Sequence, residues 1–143
     1  MTSSPEALAQ THAAAFAEGR AWTAKEFSSL LQSRGAILCG DVRSFVLGRV
    51  IADEAEVLTL ATDPAFRRQG RAAAALAQFV HDATQAGATR IFLEVATDND
   101  AAKALYYKAG FATCGQRPHY YTTSDGRRIS ADILQKQLET HNS

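Results

Sequence analysis

Hydrophobic positions in the first third of the chain recur at helical spacing. After Pro5, residues Ala9, His12, Ala13 and Phe16 fall at i, i+3, i+4 and i+7, which predicts an amphipathic helix ended by Gly19. Thr23-Ala24-Lys25-Glu26 forms a capping-box pattern ahead of Phe27, Leu30 and Leu31, predicting a second helix closed by Gly35. The pattern then becomes strand-like. Runs at 36–39 and 44–52 flank a Gly40-Asp41 turn, and Asp53-Glu54-Ala55 leads into a third run at 56–62. A long alanine-rich stretch follows, running to Gly87, with Leu76, Phe79, Val80 and Ala83 on one helical face. Residues 90–96 form a mostly apolar strand, in which Phe92, Glu94 and Ala96 face opposite to Ile91, Leu93 and Val95. Asp98 or Asn99 caps a further helix with the stripe Ala102, Leu105 and Ala109, ended by Gly110. The runs 116–123 and 128–134 flank Asp125-Gly126, a hairpin signal. Residues past Glu139 are polar and expected to fray.

The predicted order is α-α-β-β-β-α-β-α-β-β. Strand, long helix and strand at its centre make a βαβ unit with parallel pairing. The fold class is therefore α/β, a mixed and mostly antiparallel sheet with helices on both faces and a single domain over 1–143. Ligands of such sheets bind beyond the carboxyl ends of the strands.

Composition narrows the function. Of the 143 residues, 46% are hydrophobic and 21% charged, which are globular values. Formal net charge is zero, so no basic face calls for nucleic acid. No apolar run approaches the roughly 18 residues a membrane span needs, and no secretory h-region is visible near Glu6 and Glu18. Cys39 and Cys114 match no metal or redox spacing and are expected as reduced, packed thiols in a cytoplasmic protein. His12, His81, His119 and His141 show no metal-ligand spacing, so no metal is expected.

Candidate chemistry concentrates at Arg67-Arg68-Gln69-Gly70-Arg71-Ala72-Ala73, between the third strand and the long helix. A glycine turn feeding a helix N-terminus offers unpaired N–H groups and the positive end of the helix dipole, a site for phosphate or pyrophosphate. The flanking arginines add charge-assisted contacts. A P-loop would need a second glycine followed by Lys and Ser or Thr, and a dinucleotide fingerprint would need three spaced glycines. Neither is present.

Arg67–Ala72 instead fits the acetyl-coenzyme A motif Gln/Arg-x-x-Gly-x-Gly/Ala, and the chain resembles the GNAT acetyltransferase superfamily. Leu60-Ala61-Thr62-Asp63-Pro64 upstream, and Phe92-Leu93-Glu94-Val95, Asn99 and residues 104–111 downstream, follow the family's order and spacing. Within the superfamily the chain is most similar to the RimI-type ribosomal-protein-alanine N-acetyltransferases, through Glu94, Asn99, Tyr106, Tyr120-Tyr121, and His12 with Trp22-Thr23 and Phe27. Arg71 departs from the family's usual aliphatic residue. The resemblance implies a GNAT fold and acetyl-coenzyme A as cosubstrate, held by Arg67–Ala73, by backbone groups of Leu60, Ala61 and Thr62, and by Asn99. It also implies a protein N-terminal α-amine as acceptor, from a peptide or ribosomal protein, bordered by Trp22, Tyr120 and Tyr121.

The reaction requires a neutral amine, a polarised carbonyl and a protonated leaving thiolate. At pH 7, deprotonating an α-amine of pKa about 8 costs on the order of 1.4 kcal/mol, against about 4.6 for a lysine near 10.4. Glu94 is the expected general base, directly or through water, and an alternative is that it simply pairs with a nearby arginine. Glu54 and Glu56 are further candidate bases. Tyr106 is the expected acid, at the edge of its helix stripe where its hydroxyl would reach a cleft; spacing alone does not separate it from Tyr107. Two other functions fit the same residues. One is acetylation of a small amine or lysine side chain, and the other is a non-catalytic acyl-coenzyme A-binding module.

Overall fold

The computed structural model describes residues 4–15, 22–122 and 125–138. The elements run α1 (Pro5–Ala15), α2 (Ala24–Leu31), β1 (Ala36–Asp41), β2 (Ser44–Ile51), β3 (Glu54–Thr62), α3 (Arg71–Gln85), β4 (Arg90–Ala96), α4 (Asp100–Lys108), β5 (Ala112–Thr122) and β6 (Arg128–Gln137). A short 3₁₀ turn, Pro64–Phe66, joins β3 to the loop before α3. The expected order is reproduced, with both strands of the last hairpin longer than the apolar pattern suggested.

The strands form one six-stranded sheet ordered β1-β2-β3-β4-β6-β5. All neighbours pair antiparallel except β3 and β4, the strands that flank α3. That parallel ladder is short, covering Glu54↔Arg90, Ala55↔Ile91 and Glu56↔Phe92. Beyond Glu56 and Phe92 the two strands continue without pairing, which leaves a gap between their carboxyl halves.

Three local expectations are corrected. The β1–β2 turn is Val42-Arg43, and Gly40 and Asp41 belong to β1. The Asp41 carboxylate accepts from the Arg43 N–H at 2.8 Å, an Asx-type bond that pulls the turn two residues onward. Strand β3 begins at Glu54, because Ala52-Asp53 suffices as the turn with Ala52 at φ 56°. The buried face of α1 is Leu8, Thr11 and His12, with Ala13 exposed. Polar side chains sit there because they are bonded: Thr11 Oγ1 donates to the Val42 carbonyl, and His12 Nε2 lies 3.1 Å from Thr59 Oγ1. Phe16 and Gly19 fall outside the described residues, as does the polar tail from residue 139.

The sheet carries a core on each face. Against α3 and α4 lie Val46, Ala55, Val57, Leu76, Phe79, Ile91, Leu93, Val95, Tyr106, Phe111 and Leu134. Against α1 and α2 lie Leu8, Phe27, Phe45, Leu47 and Ala61. Strand β3 serves both through a β-bulge. Gly48 pairs with Val57 and Leu47 pairs with Thr59, so Leu58 is the extra residue. Ala55 and Val57 face α3 before the bulge, whereas Thr59 and Ala61 face α1 and α2 after it. Beside the bulge, Gly48 lets the fully buried Phe79 ring lie against β2; a Cβ on Gly48 would stand 2.4 Å from the ring. That close approach seats α3, and with it the turn at Gly70.

Candidate active site

The loop before α3 has the geometry of an anion cradle. Asp63 caps the 3₁₀ turn by accepting from the Ala65 N–H, and Arg67 then runs extended. Arg68 and Gly70 both adopt left-handed conformations, at φ 63° and 74°. Gly70 is the N-cap of α3 and provides no side-chain cap. The first intrahelical bond runs from Ala74 N–H to the Gly70 carbonyl at 3.0 Å. The N–H groups of Arg71, Ala72 and Ala73 therefore belong to the uncapped first turn, where helix ends bind anions. A Cβ on Gly70 would meet nothing within 4 Å, so the space before these groups is open. Arg67, Arg68 and Gln69 are exposed beside it. Arg71 donates to Gln69 Oε1 at 2.9 Å and lies over the Phe66 ring, 5.2 Å from its centroid. An arginine thereby fills an aliphatic position by stacking its guanidinium on an aromatic face.

This turn stands at the end of the β3–β4 gap. Leu60, Ala61 and Thr62 form the last residues of β3, with Leu60 packed toward the α3 core and Ala61 in the α1–α2 core. The Thr62 hydroxyl pairs with that of Ser44 at 2.8 Å. Their backbone edge toward β4 is not laddered.

On the α1–α2 side of the sheet, past the cover of those helices, an open groove of about 520 Å³ crosses β2, β3, β4 and β6. Glu54, Glu56, Phe92 and Glu94 line it, with Arg49, Arg117 and Ile133 around them. Glu94 is directly opposite Ile133 in the ladder and is 22% exposed. Its carboxylate accepts from Arg117 Nε at 2.8 Å, so the arginine pairing foreseen as an alternative to the base is present. Arg117 is itself 55% exposed, which leaves Glu94 accessible from the groove. Glu56 has a looser partner, Arg49 at 3.6 Å, while Glu54 is held by Arg90 at 2.6 Å.

The remaining candidates are distributed unequally. Asn99 is the N-cap of α4 and accepts from the Ala102 N–H at 3.2 Å. Tyr106 is corrected from the edge of its helix to its buried face: it is 6% exposed and meets Phe111 edge-on at 5.7 Å. The core extends this far along α4 because Phe111 folds back under the helix end. Tyr107 points elsewhere, its hydroxyl 2.8 Å from that of Thr113. Trp22 does not line the groove. Its ring stacks on His12 at 5.2 Å and tilts against Phe27, and its backbone N–H donates to His12 Nδ1 at 3.2 Å. With Nδ1 accepting, Nε2 carries the proton that goes to Thr59. Tyr120 and Tyr121 lie in β5, and their side chains fall outside the described ones. Cys39 is a packed thiol, pushed up to about 12 by burial and by Asp82. Cys114 is corrected to an exposed position, the extra residue of a register shift in β5.

A model of the Acetyltransferase (GNAT) family matches residues 6–111. The chain belongs to the GNAT acetyltransferase family. Among curated relatives, the [ribosomal protein bS18]-alanine N-acetyltransferase of Escherichia coli K12 is 38% identical over 88 residues, covering 62% of this chain and 60% of that protein. The N-alpha-acetyltransferase RimI of Mycobacterium tuberculosis is 39% identical over 103 residues, covering 68% and 63%. The crystal structure of the ribosomal-protein-S18-alanine N-acetyltransferase from Escherichia coli superposes with a TM-score of 0.87 at 30% identity, covering all of this chain and 93% of that one. The chain thus spans about 60% of the length of the first curated relative it matches.

The GNAT frame orders these observations. The gap runs along the carboxyl half of β3, between the groove at the amino end of that strand and the uncapped helix beyond its carboxyl end, and a coenzyme A pyrophosphate fits the donor set of the turn, with backbone amides and flanking arginines. Sequence reasoning placed Phe92 on the Glu94 face but did not find the bulge at Leu58, the identity of Arg117 as the Glu94 partner, or the groove walls Arg49 and Ile133. Bulge and partner depend on pairing register, which alternation along a single strand does not encode.

Proposed function

We propose that this protein transfers an acetyl group from acetyl-coenzyme A to the α-amine at a protein N-terminus, with a ribosomal-protein alanine as the acceptor type, in the cytoplasm. One observation carries the reading. Glu94 faces the groove and Tyr106 packs on the opposite face of the sheet, and the unladdered gap between β3 and β4 joins the two sides. The names of the Escherichia coli and Mycobacterium tuberculosis relatives supply the acceptor class.

The Arg67–Ala73 turn holds the pyrophosphate, mainly through the N–H groups before and within the first turn of α3. Backbone groups of Leu60, Ala61 and Thr62 bond to the pantetheine as a neighbouring strand would, and one N–H polarises the thioester oxygen. Asn99 contributes a contact alongside its capping role. The bound thioester supplies the activated acetyl group. Glu94 takes one proton from the acceptor ammonium, directly or through water; the neutral amine then attacks, and as the C–N bond forms and the C–S bond breaks the nitrogen sheds its second proton to water, from which Tyr106 is reprotonated after the transfer. Tyr106 delivers a proton to the departing thiolate, and Tyr120 and Tyr121 border the acceptor, while Trp22 supports α1 and α2 through His12 and Phe27. Transfer is direct, within a ternary complex. Cys39 is buried and strongly protonated, and Cys114 lies on β5 outside the groove lining, so neither supports an acyl-enzyme. An α-amine suits the groove because its deprotonation at pH 7 costs about 3 kcal/mol less than that of a lysine.

The test is a mass-spectrometric screen of N-terminal peptides and free amines incubated with the protein and acetyl-coenzyme A. Acetylation at the α-amine of peptides beginning with alanine is expected. Modified lysines with untouched N-termini, or free amines outcompeting peptides, would overturn the acceptor assignment. Tight cofactor binding with no transfer to any amine would identify a binding module instead.

A further inference from the structure

An ion pair outside the groove ties α4 to the sheet. Lys103 Nζ lies 3.1 Å from Asp132 Oδ2 on β6, and it also donates to the Thr97 carbonyl at 3.1 Å, just past β4. Asp132 is 7% exposed, and its other oxygen accepts from Gln116 Nε2 at 3.3 Å and from the Thr97 hydroxyl at 3.4 Å. Four elements or their ends therefore converge on one carboxylate: α4, β4, β5 and β6. The Asp132 carboxyl is held below its usual range by the Lys103 hydrogen bond, and the Lys103 ammonium is correspondingly raised. The pair stays ionised around neutral pH.

Helix stability does not account for this lysine. Lys103 lies near the N-terminus of α4, where the helix dipole disfavours a cation. Burying two charges is also a weak route to stability, since apolar residues of similar volume often serve as well or better. What such a pair provides is position. Lys103 and Tyr106 are i and i+3 on α4, so they share a face one turn apart. Asp132 sits opposite Val95 in the β4–β6 ladder, on the face that packs against α3 and α4.

We propose that Lys103 and Asp132 are positioning residues that fix the depth of α4 against β4 and β6, and thereby place Tyr106 at the β3–β4 gap. The kinetic consequence rests on the acetyl-transfer reading; the placement itself does not.

Two readouts keep these apart. In protein labelled with 3-fluorotyrosine, the Tyr106 fluorine resonance is assigned by its loss in Tyr106→Phe. Lys103→Met and Asp132→Asn remove charges of opposite sign, so a purely electrostatic influence moves that resonance in opposite directions. A displaced helix moves it in the same direction in both variants, and Lys103→Arg returns it toward wild type. Same-direction shifts with recovery are expected; opposite shifts, or none, overturn the proposal. Should either single variant fail to fold, the apolar pair Lys103→Met with Asp132→Leu replaces it, and an unmoved Tyr106 resonance there also overturns the proposal. Steady-state kinetics then test the consequence. Lys103→Met is expected to lower kcat about tenfold, with KM for acetyl-coenzyme A within about twofold, and to have little further effect in a Tyr106→Phe background, because groups acting as a unit are non-additive. Equal losses in both backgrounds count against the proposal. An unchanged kcat in Tyr106→Phe alone sinks the acid role of Tyr106, while the fluorine shifts still decide the placement.

Discussion

Gly48→Ala adds one methyl group at the place where α3 rests on the sheet. Its Cβ would stand 2.4 Å from the Glu56 carbonyl oxygen and 2.4 and 2.5 Å from two ring carbons of Phe79. Carbon atoms pack at about 3.5 to 4.0 Å, so relief needs a separation of roughly 1 Å. Phe79 is fully buried, with Leu76 and Ala83 from its own helix face, and has no exposed side toward which to retreat. The other neighbour is backbone, and moving it strains the β2–β3 ladder beside the bulge. Overpacking of this kind costs about 1 to 3 kcal/mol, and a weakened ladder bond about 1 more. Reduced unfolded-state entropy returns about 0.4 to 1 kcal/mol, leaving a net loss of roughly 1 to 3. With an unfolding entropy near 2.1 cal/mol/K per residue, each kcal/mol corresponds to about 3 °C, so Tm should fall by roughly 3 to 10 °C. Denaturant unfolding of Gly48→Ala, Phe79→Leu and the double variant measures the loss and the coupling. The smaller leucine should make room for the methyl, so the double variant should be at least 1 kcal/mol more stable than additivity predicts. A Gly48→Ala loss below about 0.5 kcal/mol, or strict additivity, would refute the argument that this glycine seats α3.

Other residues yield equally direct tests. Glu94→Gln should lower turnover by on the order of 10²- to 10⁴-fold while acetyl-coenzyme A still binds, with the deficit shrinking as pH passes the α-amine pKa near 8; Glu56→Gln should stay near wild type, and equal losses in both would remove the distinction between the two carboxylates. Gly70→Val forces a β-branched residue to φ 74° and fills the open space before the α3 amides, so calorimetry with coenzyme A should register a larger affinity loss than for Arg71→Ala, whose guanidinium is engaged with Phe66 and Gln69. The Arg43 guanidinium holds the Asp41 carboxyl at about 2, below its ordinary 3.8. The stability this pair contributes is fully present above pH 3.8 and is lost as pH falls toward 2, so thermal melts should show a decline there that Asp41→Asn partly flattens.

Much of this architecture was legible in the sequence because local signals agreed with it. The capping box at Thr23 forms as written, with Thr23 accepting from the Glu26 N–H and Glu26 bonding back. Gly70 begins α3, and strand β4 has the boundaries its alternation implies. What escaped were contacts made across the chain. His12 read as one position of an amphipathic face, but its bond to Thr59 and the bond of Thr11 to Val42 join segments far apart in the chain. Tyr106 read as a helix-edge residue until Phe111 packs against it. At the site, Glu94 and its strand face were legible, whereas Arg117 became its partner through two ladders that join β4 to β6 and β6 to β5.

The extra residue in β3 makes pairing register, rather than side-chain identity, the sensitive variable there. Along 54–62 buried and partly exposed residues alternate without interruption, as though one face were buried throughout. Leu58 conceals a change of face within that regular rhythm. A deletion scan should find the loss of Leu58 borne better than the loss of Val57 or Thr59, because Leu58 alone of the three has no partner across the β2 ladder. Deleting Leu58 would close the bulge and keep Gly48 opposite Val57 and Leu47 opposite Thr59, with the Thr59 hydroxyl still beside His12; straightening the strand with Leu58 retained would instead turn Thr59 and Ala61 toward α3 and Leu60 toward α1 and α2. The strand behaves as two half-strands spliced out of phase, and the splice is specified by a count.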